Sequence, residues 1–169
     1  MNASDVPTHE VADLVSRWWF AYDEGDFAAL AALLAPDAHF TCRTDTGDSP
    51  FEEFVRCDVR GAEAVMAWNT DHRLNSPYPL RHNGTNVHVT GRDGGGTRFA
   101  SYIFVTKVVS GVPANLSSGT VTGAVAPHGG RPVFQALSVV LDTMDSLDHL
   151  PEDRSTAFPH SRPAARENA

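Results

Sequence analysis

The chain has 169 residues, with 21 Asp+Glu against 13 Lys+Arg and a net charge of −8. That length suits one domain with a sizeable core, and the acidic balance repels polyphosphate, which argues against nucleic acid or an anionic membrane surface as partner. Residues 1–10 lack a basic segment followed by an apolar run, and no apolar stretch reaches membrane-spanning length, so a cytoplasmic protein is expected.

In chain order, Val11, Leu14, Val15, Trp18 and Tyr22 recur at helical spacing and define one apolar face. Gly25 suits the left-handed residue that closes a helix, and Asp26 can accept from the first amides of the next one. Phe27, Leu30, Leu33 and Leu34 predict that second helix, with Pro36 as its stop. Residues 38–43 alternate, Ala38, Phe40 and Cys42 against His39, Thr41 and Arg43, and predict a short strand. Ser49-Pro50-Phe51-Glu52 has the order of a cap, an N1 proline and a capping-box glutamate. Gly61 opens a further helix with Val65, Trp68 and His72 along one side, which Asn75-Ser76-Pro77-Tyr78-Pro79 breaks.

From Leu80 the apolar period changes to two. Strands are predicted at 80–90, 97–109, 116–126 and 133–144, joined by short turns rich in Gly and Pro, which implies an antiparallel meander. Helices followed by a meander make an α+β domain, placed at 1–146. Residues 147–169, with Pro151, Pro159 and Pro163 and little apolar content, read as a weakly ordered tail. Leu116, Val121, Val125, Val133, Leu137, Val139 and Leu141 exceed what one side of a sheet needs, which predicts a sheet-to-sheet homodimer or a higher oligomer such as a trimer.

Two residues stand out for chemistry. Asp23 ends the apolar face of the first helix. It is either a solvated helix-end acid or a carboxylate at the rim of whatever the helix covers. His82 opens the first long strand and shares a face with Gly84 and Asn86, and Gly84 leaves space beside it. It is either a hydrogen-bonded strand histidine or a proton carrier. Together they gain meaning, because an imidazole held by a carboxylate can act as a general base near neutral pH.

Other signals are absent. No His-x-x-x-His spacing occurs, and six residues of strand put His82 and His88 about 20 Å apart, so no metal is expected. Cys42 and Cys57 have neither metal nor redox spacing and read as free thiols. The Gly91–Gly96 segment has no helix after it and is a hairpin turn rather than a phosphate loop.

Ala21-Tyr22-Asp23-Glu24-Gly25-Asp26-Phe27-Ala28-Ala29-Leu30, then Leu33-Leu34-Ala35-Pro36-Asp37-Ala38, then Arg81-His82-Asn83-Gly84-Thr85-Asn86-Val87 together resemble the SnoaL-like, scytalone-dehydratase-like branch of the NTF2-like superfamily over residues 8–145. The resemblance implies a cone, with N-terminal helices packed against a strongly curved antiparallel sheet that encloses a pocket. It also implies that Tyr22, Asp23 and His82 face that pocket. Tyr22 would polarise a substrate oxygen, Asp23 would orient His82, and His82 would move the proton, with no cofactor. Trp18, Trp19, His39, Trp68, Asn86 and Tyr102 are the expected substrate-binding residues. A dehydratase, isomerase or cyclase acting on a small cyclic, aromatic, polyketide- or terpenoid-like molecule follows.

The chain also departs from that pattern. Residues 98–109 carry no second histidine; Ser101 and Tyr102 lie there with hydroxyls. Gly119, Val121 and Gly123 stand where related chains carry polar groups. These departures keep open a non-catalytic ligand-binding or assembly subunit, resembling the β subunit of ring-hydroxylating dioxygenases.

Overall fold

The computed structural model describes residues 5–143. Helix α1 (Thr8–Glu24) buries Val11, Leu14, Val15, Trp18, Trp19 and Tyr22, the face its periodicity requires. Gly25 closes it at φ 70°, its amide donating back to the last turn, and the Asp26 carboxylate accepts from the Ala29 amide at 2.9 Å to start α2 (Phe27–Ala31). The second helix is shorter than expected. Leu34 and Pro36 belong instead to β1 (Leu34–Thr44), where an irregular register between Leu34 and His39 accommodates the proline that cannot donate to a ladder.

The capping box is also absent. Helix α3 (Glu52–Val55) starts after Phe51 without a side-chain cap, and Glu52 turns back to accept from the amide and hydroxyl of Thr44. Burial opposes its charge, but those two bonds, with Arg56 and Arg43 nearby, hold the carboxyl below its ordinary value. A strand the periodicity gave no sign of, β2 (Cys57–Arg60), then pairs antiparallel with β1 and sets Cys57 opposite Cys42. Four residues are too few for an alternation to register.

Helix α4 (Ala62–Leu74) follows Gly61 as expected. Strands β3 (Leu80–Asp93), β4 (Gly96–Val109), β5 (Val112–His128) and β6 (Arg131–Leu141) form the meander. The full sheet runs β2-β1-β6-β5-β4-β3, curved and unclosed. One pairing corrects the all-antiparallel expectation: β1 lies parallel to β6, because the helices between β1 and the meander carry the chain across before it returns.

Helix α1 packs over β3, and α4 over β1. The core lies between these helices and the sheet. Val121, Val125, Val133, Leu137, Val139 and Leu141 are all buried in it within a single chain, so they do not supply the apolar outer sheet face expected of them. Of that set only Leu116 is exposed. Among the side chains that look outward on β4 are Tyr102 and Phe104, alternating with the buried Ser101, Ile103 and Val105. Gly119 and Gly123 mark where β5 and β6 approach most closely. An added Cβ would stand 2.3 Å from the Val140 carbonyl at the first and 2.4 Å from the Ala136 carbonyl at the second. Backbone clearance, rather than a lost polar group, explains these two glycines. No helix among the described residues is long and apolar enough to cross a membrane. The expected tail, 147–169, and the last residues of the domain expected at 1–146 lie outside the described residues.

Candidate active site

Helices and sheet leave a cavity of about 310 Å³ between them. From the sheet it takes Leu80, Ile103, Val105, Val139 and Leu141; from the short helix and its approach, Phe51, Phe54 and Val55. The longer helices contribute Trp19, Tyr22, Trp68, Asn69 and His72, and the start of β3 contributes His82. Among the described residues, no Lys or Arg belongs to this lining. A molecule resting here meets a largely apolar surface with a few polar atoms from one side.

Those polar atoms are tightly fixed. Asp23 is 4% exposed, and both of its carboxylate oxygens are engaged by a single residue. The His82 amide donates to Oδ2 at 2.7 Å, and the His82 ring Nδ1 lies 2.5 Å from Oδ1. A carboxylate accepts only, so Nδ1 carries a proton, and in the neutral ring the lone pair is on Nε2. Trp19 stacks on the same ring, with centroids 4.8 Å apart and planes 8° off parallel. Gly84, two residues along β3, makes that stack possible. A Cβ there would sit 3.0 Å from Trp19 Cδ1 and 3.2 Å from Val15. The clearance beside His82 is therefore used by a tryptophan.

Tyr22 presents its ring edge to His82, and its hydroxyl lies 2.5 Å from Nδ1 of His72. Burial holds the Tyr22 hydroxyl well above its ordinary value, so it stays a neutral phenol. His72 itself stacks on Trp68, with centroids 4.6 Å apart and planes 13° off parallel. Burial, and then the nearby His82, push its imidazole down to about 4, so it is neutral at physiological pH. The spacing puts His72 on one side of this helix with Val65 and Trp68, and the cavity takes Trp68, Asn69 and His72 from it.

A further residue carries no mark in the sequence. Arg73, the neighbour of His72, is buried and donates from Nε to the carbonyls of Tyr22 and Asp23, both at 3.1 Å, and from Nη2 to that of Asp23 at 2.8 Å. It satisfies the Asp23 carbonyl that the end of α1 leaves open, adds to the Gly25 amide's bond at Tyr22, and puts a positive charge where the helix dipole favours one. A lone arginine at a helix end looks like any solvated charge, so only the packing of α4 against α1 reveals it.

Several expected binding residues lie elsewhere. Trp18 is core, flanked by Phe40 and Phe134 and sealed from the cavity. His39 points to the opposite side of β1 from Phe40 and pairs with Asp58 at 2.7 Å. Asn86 falls at a register shift in β3, in the left-handed region at φ 56°, and is exposed. Strict alternation had aligned it with His82, and the bulge breaks that alternation. Tyr102 is 58% exposed on the outer sheet face. Trp19 and Trp68 do line the cavity.

Cys42 also reaches the cavity, but burial raises its thiol to about 12, which leaves it un-ionised and poorly nucleophilic. Among the described residues no three His, Cys, Asp or Glu side chains converge as metal ligands.

Comparison with known proteins agrees with this architecture. A family model described as a SnoaL-like domain matches residues 8–143. No curated sequence matches the chain. Among solved structures, ActVI-ORFA from Streptomyces coelicolor is similar at 20% identity and a TM-score of 0.63, over 79% of this chain and 95% of that one. A proposed scytalone dehydratase from Novosphingobium aromaticivorans is similar at 12% identity and a TM-score of 0.62, over 80% and 83%. The β subunit of benzoate 1,2-dioxygenase from Burkholderia mallei is similar at 16% identity and a TM-score of 0.61, over 80% and 91%. At such identities the likeness is one of fold.

Proposed function

Because this chain belongs to the SnoaL-like domain family, we propose that the cavity is the active site of a proton-transfer enzyme, a dehydratase, isomerase or cyclase, that needs no cofactor and acts on a small uncharged cyclic substrate. The observation that carries this reading is the Asp23–His82 pair, bonded at 2.5 Å at the wall of an apolar cavity. The described lining residues include no Lys or Arg, and the largely apolar wall they form supports an uncharged substrate, since a carboxylate or phosphate would be desolvated against it without a partner among them. The Trp and Phe side chains favour a flat ring, polyketide- or terpenoid-like in character.

In this mechanism Nε2 of His82 takes a proton from a carbon next to a carbonyl. The C–H electron pair moves into the ring system and leaves negative charge on the carbonyl oxygen. Asp23 stabilises the imidazolium that forms and holds its tautomer, and the Tyr22 hydroxyl donates to the oxygen that gains charge. The imidazolium then returns the proton, either to another carbon, which is isomerisation, or to a departing hydroxyl, which is dehydration. Cyclisation differs only in that the enolate attacks a second carbonyl.

The test is deuterium exchange from solvent into a panel of bicyclic ketones, followed by NMR. The wild type is expected to exchange protons next to the carbonyl, and His82→Ala to slow this by about 10²–10⁴-fold. Ligand binding without exchange in the wild type would overturn the catalytic reading.

A second reading, a non-catalytic binding or assembly subunit, is favoured by one observation: β4 contributes only the apolar Ile103 and Val105 to the cavity lining, and Tyr102 looks outward. Under it a larger subunit would copurify with the native protein. In either reading a homo-oligomer is proposed from the exposed Tyr102 and Phe104 of β4, with light scattering after size exclusion as the check.

A further inference from the structure

The site holds a second imidazole whose task the sequence does not suggest. His72 Nδ1 and Tyr22 Oη are 2.5 Å apart, and one proton lies between them. Either the phenol donates to the ring or the ring donates to the phenol. The two cases have opposite consequences, because a neutral imidazole has only one N–H.

The other ring nitrogen decides between them. Nε2 of His72 is fully buried and has no hydrogen-bond partner among the described residues. If Tyr22 donated, the ring proton would sit on Nε2 as a buried N–H with no acceptor, the rarer and costlier defect. If Nδ1–H donates, Nε2 holds only an unshared lone pair and no N–H is orphaned. The imidazolium form is excluded as well. It would leave an orphaned buried N–H on Nε2 and a charge that burial opposes more strongly than the nearby Asp71 favours it.

We propose that His72 is a positioning residue for the reaction proposed above: its Nδ1–H donates to Tyr22 Oη and thereby turns the phenol's own O–H into the cavity, toward the substrate oxygen. The inference rests on the proton-transfer reading of the cavity. In the resting protein the phenol proton can lie toward the Ser76 hydroxyl, which neighbours Tyr22 and itself donates to the His72 carbonyl at 2.7 Å. A substrate carbonyl would replace that acceptor. The donor chain His72 Nδ1–H, Tyr22 O–H, substrate oxygen then stabilises negative charge without transferring a proton. His82 Nε2 meanwhile removes the C–H proton, so the base and the oxyanion donor occupy separate arms of one wall. The departure noted in the sequence, a strand without a second histidine, is met here by a histidine from a helix.

The test uses the whole protein labelled with ¹⁵N-histidine, with long-range ¹H–¹⁵N correlation spectra and His72 assigned by its loss in His72→Asn. The expected result is a protonated Nδ1 and a bare Nε2 on His72, unchanged from pH 8 to pH 6. In Tyr22→Phe, where the acceptor is gone, the tautomers should mix. A proton on Nε2 in the wild type, or no response to Tyr22→Phe, overturns the assignment. The same spectrum reports His82, where Nδ1–H is expected. A different state there sinks the Asp23–His82 reading and leaves the His72 assignment to stand or fall separately.

A second measurement reads the consequence. 1-Tetralone, an uncharged bicyclic ketone, is bound and its carbonyl stretch followed by infrared. A downshift is expected in the wild type, lost in Tyr22→Phe, diminished in His72→Leu, and restored in His72→Asn, whose amide N–H can replace Nδ1–H. No downshift in the wild type, or an equal one in His72→Leu, overturns the proposal.

Discussion

The two histidines of the cavity are built alike and end up different. Each lies flat on a tryptophan, His82 on Trp19 and His72 on Trp68, and Tyr22 stands between them. What separates them is the partner of Nδ1. His82 has a buried carboxylate there, and His72 has a phenol. A carboxylate stabilises the imidazolium, whereas a phenol held neutral by burial does not. Stacking therefore fixes where each ring lies, and the Nδ1 partner decides whether that ring can accept a proton.

The comparison can be broken most severely at Asp23. Asp23→Asn should keep the shape of the site but remove the charge that His82 relies on. Its exchange rate should fall by about 10²–10⁴-fold, as for His82→Ala, and the double variant should lose little more. Additive losses, measured by the same deuterium exchange, would show that the two residues do not act as one unit.

Next is Arg73→Met. It removes the donors that hold the Asp23 carbonyl and leaves that buried acceptor unsatisfied, at a cost of about 1–3 kcal/mol in a denaturant melt. Exchange should fall as well, because the end of α1 carries both side chains. Gly84→Val is smaller in stability and sharper in meaning. It crowds Trp19 off His82 and leaves the His72–Trp68 stack intact, so the NMR signals of His82 should move while those of His72 stay.

The smallest effect concerns acid. His72 falls to about 4 in the folded state from its ordinary 6.5, so the unfolded chain binds the extra proton between those values. Stability contributed by a neutral His72 is present above pH 6.5 and lost as the pH drops toward 4. Thermal melts of the wild type should lose ground over that window by more than those of His72→Asn, and parallel curves would show that other groups dominate.

Much of this was legible in the chain. Periodicity carried α1, α4 and the four meander strands to within a few residues, because each is long and buries one face. The Asp23–His82 pair was legible only as two residues whose spacing along the chain says nothing of distance; the family motif joined them. The rest depended on contacts between distant elements. His72 and Arg73 matter through the way α4 meets α1, and no local pattern encodes that crossing. Asn86 and Tyr102 were misplaced for different reasons: a bulge reverses faces at Asn86, and alternation alone does not say which face of β4 turns inward. Trp18 has the same periodicity as the cavity residues but lies one layer deeper. Leu34 and Pro36 continued an apolar run that the chain uses for a strand.

The bulge at Asn86 also affects how copies of the protein meet. Among the described residues β2 and β3 form the two rims of the unclosed sheet. β2 has only four residues, too few to template another strand, but β3 has fourteen. An unbroken rim of that length would offer a ladder of open amides and carbonyls to any extended segment nearby. The left-handed residue and the slipped register at its middle divide the rim into two short stretches, with Arg81 and Arg92 exposed toward its ends. The irregularity that takes Asn86 out of the cavity thus protects the molecule from edge-to-edge aggregation.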